Sequence, residues 1–362
     1  MSFRSPSRLF ALLAAAALLA VGTGCDSGPQ PPEETCTPTA STNGPVGEWE
    51  YLGLGGDEID DVTAIAVHPC DPEVIYAGTS SDYSAGIKGK LFKSADGGET
   101  WDTLLVGGSY RDVQFAPSNP DVIYALPGTV LRSADGGQTW QTAAPDVRAP
   151  VQSLAIHSEK ANVLYAGAGS AFEGGDGLYK SADGGENWRE VGKETALEQG
   201  VSSIAIDPGN PDVVYAGTQW SASVVRSTDG GKSWSALAHH GGIVLELLVA
   251  FESQGALYAG VTRRGILRSE DDGATWHSFN QGLHLDTINV SNIEKGNPDE
   301  FFVTSSWGDS GGVYRHSTTD SIWTKIGLPA VEQSYYYSDL ELSEEGNSLY
   351  VGLDGVYRFI LE

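Results

Sequence analysis

The chain has 362 residues and carries 48 acidic against 21 basic side chains, a formal net charge of −27 at pH 7. The resulting negative field repels nucleic acid and anionic lipid surfaces. This charge excludes a nucleic-acid-binding role and direct phosphate binding. The acids are spread along the chain rather than grouped in runs, which is typical of a solvated surface.

The first 24 residues have the pattern of a secretory signal. Residues 1–8 contain two arginines, residues 9–21 are apolar, and small residues precede Cys25. The pattern predicts a lipoprotein signal peptide over 1–24 with lipidation at Cys25, although Gly22 stands where that motif usually has Leu. Ordinary signal cleavage, or a retained anchor, is the alternative. We expect export across the inner membrane and anchoring in the cell envelope, at the outer membrane or cell surface, through the Cys25 lipid only.

Residues 25–46 predict a flexible tether, because they are rich in Pro, Ser, Thr, Gly and acids and contain almost nothing to bury. Cys36 in this tether and Cys70 are the two cysteines left after Cys25. In an oxidising compartment they could pair. Two free thiols remain the alternative, because the sequence gives no distance between the two residues.

The phrase Ser-x-Asp-(Gly/Asp)-Gly-x-x-Trp occurs five times, at 94–101, 133–140, 181–188, 227–234 and 269–276. Its residues predict a tight turn in which the Asp carboxylate accepts from backbone N–H groups two or three residues on, while glycine takes a positive φ without strain. The Trp is expected to pack over the turn. The structural Asp residues are Asp96, Asp135, Asp183, Asp229 and Asp271. A sixth, degenerate copy at 316–323 has Thr318 in place of the Asp.

A longer unit of roughly 40–50 residues surrounds each turn, the period expected of propellers and solenoids. In the fourth unit, residues 201–206, 213–217 and 224–227 predict three strands, and the residues from 234 predict the fourth. Seven units are counted, and the last lacks its fourth strand, for which residues 49–52 have the matching Trp-x-x-Leu pattern. We therefore predict an all-β fold, a single seven-bladed β-propeller of four-stranded blades over 47–362, closed by the N-terminal strand joining the last blade.

These repeats resemble those of the Asp-box (BNR) repeat propellers, a superfamily that includes sialidases, xyloglucan-cleaving endoglucanases, sortilin-type receptors and the seven-bladed assembly factor of photosystem II. The resemblance covers about residues 47–362. It implies the fold rather than one activity, because the shared residues are turn residues and the members differ in chemistry. It also implies that the Asp-box turns lie on one face of the ring and the variable loops on the opposite face.

The variable loops carry aromatic side chains among polar ones, a pattern that suits sugar stacking or peptide anchoring. The predicted ligand-binding residues are Tyr83, Tyr110, Phe172, Trp220, Trp307 and Tyr336. Trp220 and Trp307 are the strongest candidates, because each lies in mid-loop among small polar residues. The alternative is that about half of these rings pack between blades.

No convergent catalytic set is found in the sequence. A sialidase would be expected to have an arginine triad and an Arg-Ile-Pro segment, but this segment is absent and the arginines recur at one repeat position, which indicates a structural role. The basic residues at this position are Lys93, Arg132, Lys180, Arg226, Arg268, Arg315 and Arg358. Residues 308–312 read Gly-Asp-Ser-Gly-Gly, as around the nucleophile of chymotrypsin-like proteases, but no His-containing partner segment accompanies them. The histidines, including His239 and His240, show no ligand spacing, so we predict no metal site and no cofactor.

The acidic cluster at 57–61 allows a second interpretation. Its carboxylates could bind Ca²⁺ or act as acid and base in glycoside hydrolysis, whereas a solvated loop is the simpler interpretation. Xyloglucan-cleaving relatives are expected to use two facing propellers with one catalytic Asp from each. At the corresponding position here stands Ser80, and Asp82 is only a weak substitute. The alternative catalytic residues are therefore Asp60, Asp61 and Asp82.

These patterns together predict a lipid-anchored extracytoplasmic binding or assembly module that acts as a monomer and binds a protein or glycan partner through a propeller loop face. The alternative is a glycoside hydrolase of the Asp-box propeller type acting on a polysaccharide. A structural surface protein without a ligand is a third hypothesis. The lack of a convergent catalytic set favours the non-enzymatic prediction.

Overall fold

The structure is a computed structural model of the chain, and every residue that it describes belongs to one compact unit, Thr37–Glu362. The described residues are 44–54, 61–144, 146–147, 149–169, 177–193, 197, 200–219, 223–239, 241–250, 256–283, 290–296, 300–305, 312–317, 321–327 and 339–361. They form seven four-stranded antiparallel sheets arranged as the blades of a ring. The predicted fold, a seven-bladed all-β propeller, is confirmed.

The first strand, β1 (Trp49–Tyr51), belongs to blade seven, and the strands that follow build the blades in chain order. Blade one contains β2 (Val62–Val67), β3 (Ile75–Thr79), β4 (Lys90–Ser94) and β5 (Asp102–Val106). Blade two contains β6 (Val113–Ala116), β7 (Asn119–Ala125), β8 (Leu131–Ser133) and β9 (Gln141–Thr142). Blade three contains β10 (Val151–Ile156), β11 (Leu164–Ala168), β12 (Gly177–Ser181) and β13 (Arg189–Val191).

The remaining blades repeat this order from the inner to the outer strand. Blade four contains β14 (Val201–Ile206), β15 (Val214–Thr218), β16 (Ser223–Ser227) and β17 (Ser235–His239). Blade five contains β18 (Val244–Ala250), β19 (Ala256–Val261), β20 (Gly265–Ser269) and β21 (His277–Ser278). Blade six contains β22 (Val290–Gly296), β23 (Glu300–Ser305), β24 (Gly312–Ser317) and β25 (Trp323–Gly327). Blade seven contains β26 (Leu340–Leu342), β27 (Ser348–Gly352), β28 (Val356–Ile360) and β1.

The ring closes through β1, as the Trp-x-x-Leu pattern predicts. This strand pairs antiparallel with β28, with Trp49 opposite Phe359. The Arg358 guanidinium donates to the Glu50 carboxylate at 2.6 Å across the same pair. Strands from the two ends of the ring therefore share one blade, which leaves no open sheet edge at the closure.

Blades pack against each other through apolar layers. Each buried cluster contains residues from two consecutive blades, for example Tyr124 of blade two with Trp188 of blade three. The Tyr-Ala-Gly sequence at the end of the second strand suits this packing, because a Cβ added at Gly217 would lie 2.6 Å from the Cγ1 of Val244 in the next blade. Glycine is therefore used where blades approach most closely.

Candidate functional site

The five Asp-box turns share one hydrogen-bond pattern. In the first, the Ser94 hydroxyl donates to Asp96 Oδ1 at 2.8 Å and accepts from the Gly98 N–H at 2.8 Å. The Asp96 carboxylate accepts from the backbone N–H of Thr100 at 2.8 Å and from its hydroxyl at 2.5 Å. The main backbone donor thus lies four residues beyond the Asp, and a donor three residues on, as the sequence suggested, is also present at Asp229, which accepts from the Lys232 N–H at 3.0 Å.

The residue before each Trp completes this pattern, although the motif leaves it free. It is Thr100, Thr139, Asn187, Ser233 or Thr275, and its side chain donates to the Asp carboxylate. This donor is the largest cause that lowers the pKa of each Asp-box carboxyl, to about 2 for Asp135 and Asp271. The five Asp residues are therefore ionised turn-stabilising groups rather than acid or base catalysts at neutral pH.

The tryptophans connect the turns to the preceding blade. Trp188 Nε1 donates to the Gly185 carbonyl of its own turn at 3.0 Å and to Ala143 of blade two at 2.6 Å. Trp101 donates in the same way to Leu52 at 2.9 Å, which joins blade one to blade seven. The Asp-box turns thus have a structural role, because their tryptophans help to join consecutive blades.

The recurring basic residues also join blades. Lys180 Nζ lies 5.0 Å from the centre of the Tyr165 ring and donates to the Gly230 carbonyl of the next blade's turn at 2.7 Å. Lys93 reaches the Gly136 carbonyl at 3.1 Å in the same manner. These contacts give the basic repeat position a structural role and leave no arginine cluster of the sialidase kind among these described positions.

The main cavity of the described chain lies on the ring axis. It holds about 1250 Å³ and is lined by inner strands of all seven blades. We call it the axial cavity. Six of its lining residues are carboxylic acids. Glu344 is exposed, and the other five are half-buried against the blades: Asp112, Glu246, Glu294, Asp339 and Glu341. We call them the axial carboxyls.

Asp339 has the richest set of partners among the axial carboxyls. Its Oδ2 accepts from the Ile65 N–H of blade one at 2.7 Å, and its Oδ1 accepts from the Leu340 N–H at 3.0 Å and from the Asn292 amide of blade six. The Val67 N–H of the same inner strand β2 stabilises the charged form of the Glu341 carboxyl. The side chains of blade seven therefore cap the edge of blade one.

Burial raises the pKa of every axial carboxyl, and neighbouring carboxylates raise it further for Asp112, Glu246, Glu294 and Glu341. Desolvation is the largest cause of the rise in each case. The pKa of Asp339 rises only to about 6, because three hydrogen-bond donors stabilise its charged form. The pKa rises to about 8 for Asp112, Glu246 and Glu294, and the pKa of Glu341 also rises well above its usual value. Near neutral pH, Asp339 is therefore mainly charged, whereas Asp112, Glu246 and Glu294 are mainly neutral.

Local sequence motifs did not single out these five residues, although the inner strands share a pattern that contains them. The seven inner strands can be aligned on an apolar residue at their centre. The position before this apolar residue is filled, in blade order, by Ala64, Asp112, Ser153, Ser203, Glu246, Asn292 and Asp339. The position after the same apolar residue is filled by Ala66, Gln114, Ala155, Ala205, Leu248, Glu294 or Glu341. Acids at alternate residues of strands that face the axis could have indicated a titratable cavity.

The loop face of the ring opens this cavity to solvent beside blade one. Tyr83 lines the cavity there and is 84% exposed. Tyr110 also lines it but is only 1% exposed, because its side chain packs against Gly78 between blades one and two. The burial of Tyr110 agrees with the alternative interpretation, in which about half of these rings pack between blades. The other four aromatic candidates, Phe172, Trp220, Trp307 and Tyr336, lie outside the described residues.

Asp82 is occupied within its own loop. Its Oδ1 accepts from the Ser84 N–H at 2.7 Å, the Ser84 hydroxyl at 2.6 Å and the Ala85 N–H at 3.2 Å. The Ser84 hydroxyl is the largest cause that lowers the pKa of Asp82. A carboxyl with a lowered pKa is a poor general acid at neutral pH. Asp61 is described and its backbone carbonyl accepts from Ser80, whereas Asp60 lies outside the described residues.

Several other expectations concern residues near the start of the chain. Cys70 forms a disulfide, while Cys25 and Cys36 lie outside the described residues.

Within the described ranges, no group of three or more His, Cys, Asp or Glu is arranged to hold a metal ion. In the described part of the chain, no helix has the length and apolar character needed to cross a membrane.

Sequence comparisons agree with this architecture. The family description "BNR/Asp-box repeat" matches residues 225–236, the turn of blade four. A xyloglucanase from Paenibacillus sp is 24% identical over 76% of this chain and 27% of its own length. A xyloglucanase from Hypocrea jecorina is 26% identical over 76% of this chain and 34% of its own length. The chain thus spans about a third of the length of the curated relatives it matches.

Solved structures show the same fold at low sequence identity. YCF48 from Cyanidioschyzon merolae is 15% identical with a TM-score of 0.63, over 86% of this chain and 98% of that one. The GH74 xyloglucanase from Xanthomonas campestris is 18% identical with a TM-score of 0.64, over 86% of this chain and 53% of that one. Fold and turn geometry define a seven-bladed β-propeller with Asp-box turns. The chain therefore contains Asp-box (BNR) repeats and resembles the Asp-box repeat propellers in its fold and turn geometry.

Proposed function

We propose that this protein is a non-enzymatic binding or assembly module that holds a protein or glycan partner on the loop face of its propeller. The observation that carries the proposal is the pair of adjacent residues at the mouth of the axial cavity. Tyr83 is 84% exposed there, while Asp82 beside it is held by its own loop. An exposed ring on a rigid scaffold offers a stacking or anchoring surface, and a carboxylate with three internal donors offers little chemistry.

A second observation supports a peptide as one class of partner. The solved structure of YCF48 bound to D1 peptide has the same fold, with a TM-score of 0.62 over 90% of this chain and 98% of that one. At 15% identity this likeness concerns the fold alone. It makes a peptide a reasonable first class of partner to test beside glycans.

The alternative proposal is a glycoside hydrolase acting on a polysaccharide. It is favoured by the curated relatives, which are xyloglucanases at 24% and 26% identity. The acids assigned to it are Asp60, Asp61 and Asp82. Replacement of Asp60 and Asp61 by Asn should abolish hydrolysis under this alternative and leave binding by aromatic residues intact.

The first experiment is a binding screen of the full chain against glycans, polysaccharides including xyloglucan, and envelope proteins, with product analysis on the same samples. We expect binding without released oligosaccharides. Tyr83→Ala should weaken this binding, whereas Ile322→Ala should not. Ile322 is the matched control because it is 38% exposed and lies in a turn between third and fourth strands, at the opposite ends of the strands. Released oligosaccharides that disappear in the Asp60/Asp61 variant would instead establish the hydrolase.

We also propose that Cys25 carries the lipid that anchors the protein in the cell envelope. The proposal rests on the basic, apolar and small-residue order of the first 25 residues. Metabolic labelling with a fatty acid should mark the wild-type protein and not Cys25→Ala. Equal labelling of the two proteins would overturn the assignment.

A further inference from the structure

The inner strand of blade one has an edge that needs partners. Strand β2 pairs with β3 on one side only, with Ala64 opposite Gly78 and Ala66 opposite Tyr76. The N–H groups of Ile65 and Val67 therefore point away from β3, toward blade seven. An unpaired N–H at such an edge is costly unless it finds an acceptor.

Blade seven supplies both acceptors as carboxyl groups. The Asp339 carboxylate accepts from the Ile65 N–H at 2.7 Å, and the Val67 N–H stabilises the charged form of the Glu341 carboxyl. Asp339 also accepts from the Asn292 amide of blade six. One carboxylate thus ties the inner strands of blades six, seven and one together, at the blade where the two ends of the ring meet.

At another junction of the ring, a neutral group is the acceptor for the backbone N–H of the next blade's inner strand. At the junction of blades four and five, the Ser203 hydroxyl accepts from the Leu247 N–H at 2.9 Å. Blades three and four line the cavity with uncharged side chains, including Gln152 and Ser202. The use of carboxyls at the junction of blades six, seven and one is therefore a local feature, and it makes this junction sensitive to protonation.

The electrostatic surroundings amplify that sensitivity. Blades five, six and seven contribute four axial carboxyls, and blade two contributes Asp112. The other titratable side chains in the described lining are Arg111, Glu344, Tyr83 and Tyr110. No lysine or histidine is found in that described lining, so each added negative charge meets other carboxylates in a confined space with one arginine to offset it.

We propose that the axial cavity contains a pH-sensitive latch, in which Asp339 and Glu341 close the inner side of the ring at the junction of blades six, seven and one, and which loosens as the pH rises above neutrality. Asp339 is mainly charged and hydrogen-bonded near neutral pH, while Asp112, Glu246 and Glu294 remain mainly neutral. At higher pH the neighbours ionise, because their pKa values lie near 8. Repulsion among them then favours separation of the inner strands, and β2 and β26 are the first to open.

Hydrogen–deuterium exchange of the full chain between pH 6 and pH 9, corrected for the intrinsic pH dependence of exchange, tests this proposal. Peptides that cover β2 and β26 should lose protection by about tenfold or more at pH 9, which corresponds to one unit of pKa shift expressed locally. Peptides that cover β10 and β14, whose cavity side chains are neutral, should change much less. Equal loss of protection in all inner strands, or no loss in β2 and β26, would overturn the latch.

The variant pair is Glu294→Gln with Glu341→Gln, which removes two cavity charges at nearly constant volume. It should keep β2 and β26 protected at pH 9. The control, Glu159→Gln with Glu186→Gln, removes the same charge from exposed positions and should behave like the wild type. Loss of protection in the first variant equal to that of the wild type contradicts the proposal. If the variant does not fold, the comparison of β2 and β26 with β10 and β14 in the wild type tests the proposal by itself.

Discussion

Carboxyl groups occupy two regions of this propeller with opposite electrostatic character. In the Asp-box turns, several donors surround each carboxylate and the side chains lie in exposed turns, so their pKa values fall. In the axial cavity, burial and neighbouring carboxylates raise the pKa values. The comparison shows that residue type alone does not determine the protonation state of a carboxyl group, because hydrogen-bond donors and solvent access also shift its pKa.

The two regions also stabilise the ring in different ways. The turns pack each blade against its predecessor through neutral Trp side chains, and their Asp carboxylates stay charged above about pH 4. The axial carboxyls hold the inner side of one junction through charge. Changes in the turns should therefore weaken the ring throughout the neutral pH range, whereas changes in the cavity should act where the raised pKa values lie.

The largest effect is expected at the Trp that joins two blades. Trp188→Ala removes a side chain that is 8% exposed and its bond to Ala143, so we expect a loss of about 3–5 kcal/mol in the free energy of unfolding. Denaturant unfolding measures this loss. Trp140→Ala is the control, because Trp140 is only half-buried and donates to the Gly137 carbonyl of its own turn. An equal loss in the two variants would show that the bond between blades adds nothing.

The next effect should have opposite signs in the two regions for the same chemical change. Glu246→Gln should raise the free energy of unfolding at pH 9 by about 2 kcal/mol, less than its full pKa shift implies because the side chain still contacts water. The gain should vanish below about pH 4, where Glu246 is protonated in both the folded and the unfolded state. Asp229→Asn should instead lower Tm at pH 7, because the amide cannot accept from all the donors of its turn. Thermal unfolding at the two pH values measures both, and a shared sign would remove the contrast.

The pH profile of the wild type should show both regions at once. Raised cavity pKa values mean that stability is fully present below about pH 4 and is lost as the pH rises through about 6 and then 8. Lowered pKa values in the turns mean that stability is present above about pH 4 and is lost as the pH falls toward about 2. We therefore expect Tm to be highest between about pH 4 and pH 6. A maximum at pH 8 or above would contradict the assignment of the axial carboxyls.

The smallest effect on stability is expected at the exposed ring of the loop face. Tyr83→Ala should change the free energy of unfolding by less than about 0.5 kcal/mol, because the side chain is 84% exposed. It should nevertheless weaken binding of the partner found in the screen. Comparison of Tm with binding affinity separates the two roles, and a large loss of stability would show that Tyr83 packs rather than binds.

The sequence by itself determined the number of blades, the Asp-box turns and the closure of the ring by residues 49–51. These features depend on local rules, since a turn needs Asp and Gly at fixed spacing and a blade needs four short strands between such turns. Two details of the turns escaped sequence analysis, namely the hydrogen bond that reaches four residues on and the side-chain donor before each Trp. Both depend on the width of the folded turn.

Only the tertiary structure decided which acids meet on the axis and which loop aromatic is exposed. Asp112 and Asp339 are more than 200 positions apart in the sequence, and only closure of the ring brings them to one cavity. Tyr83 and Tyr110 look alike as loop residues, yet the close approach of Gly78 buries one and not the other. The physical reason is the same in both cases: burial and charge–charge interactions arise from contacts between blades, and no local pattern in the chain specifies them.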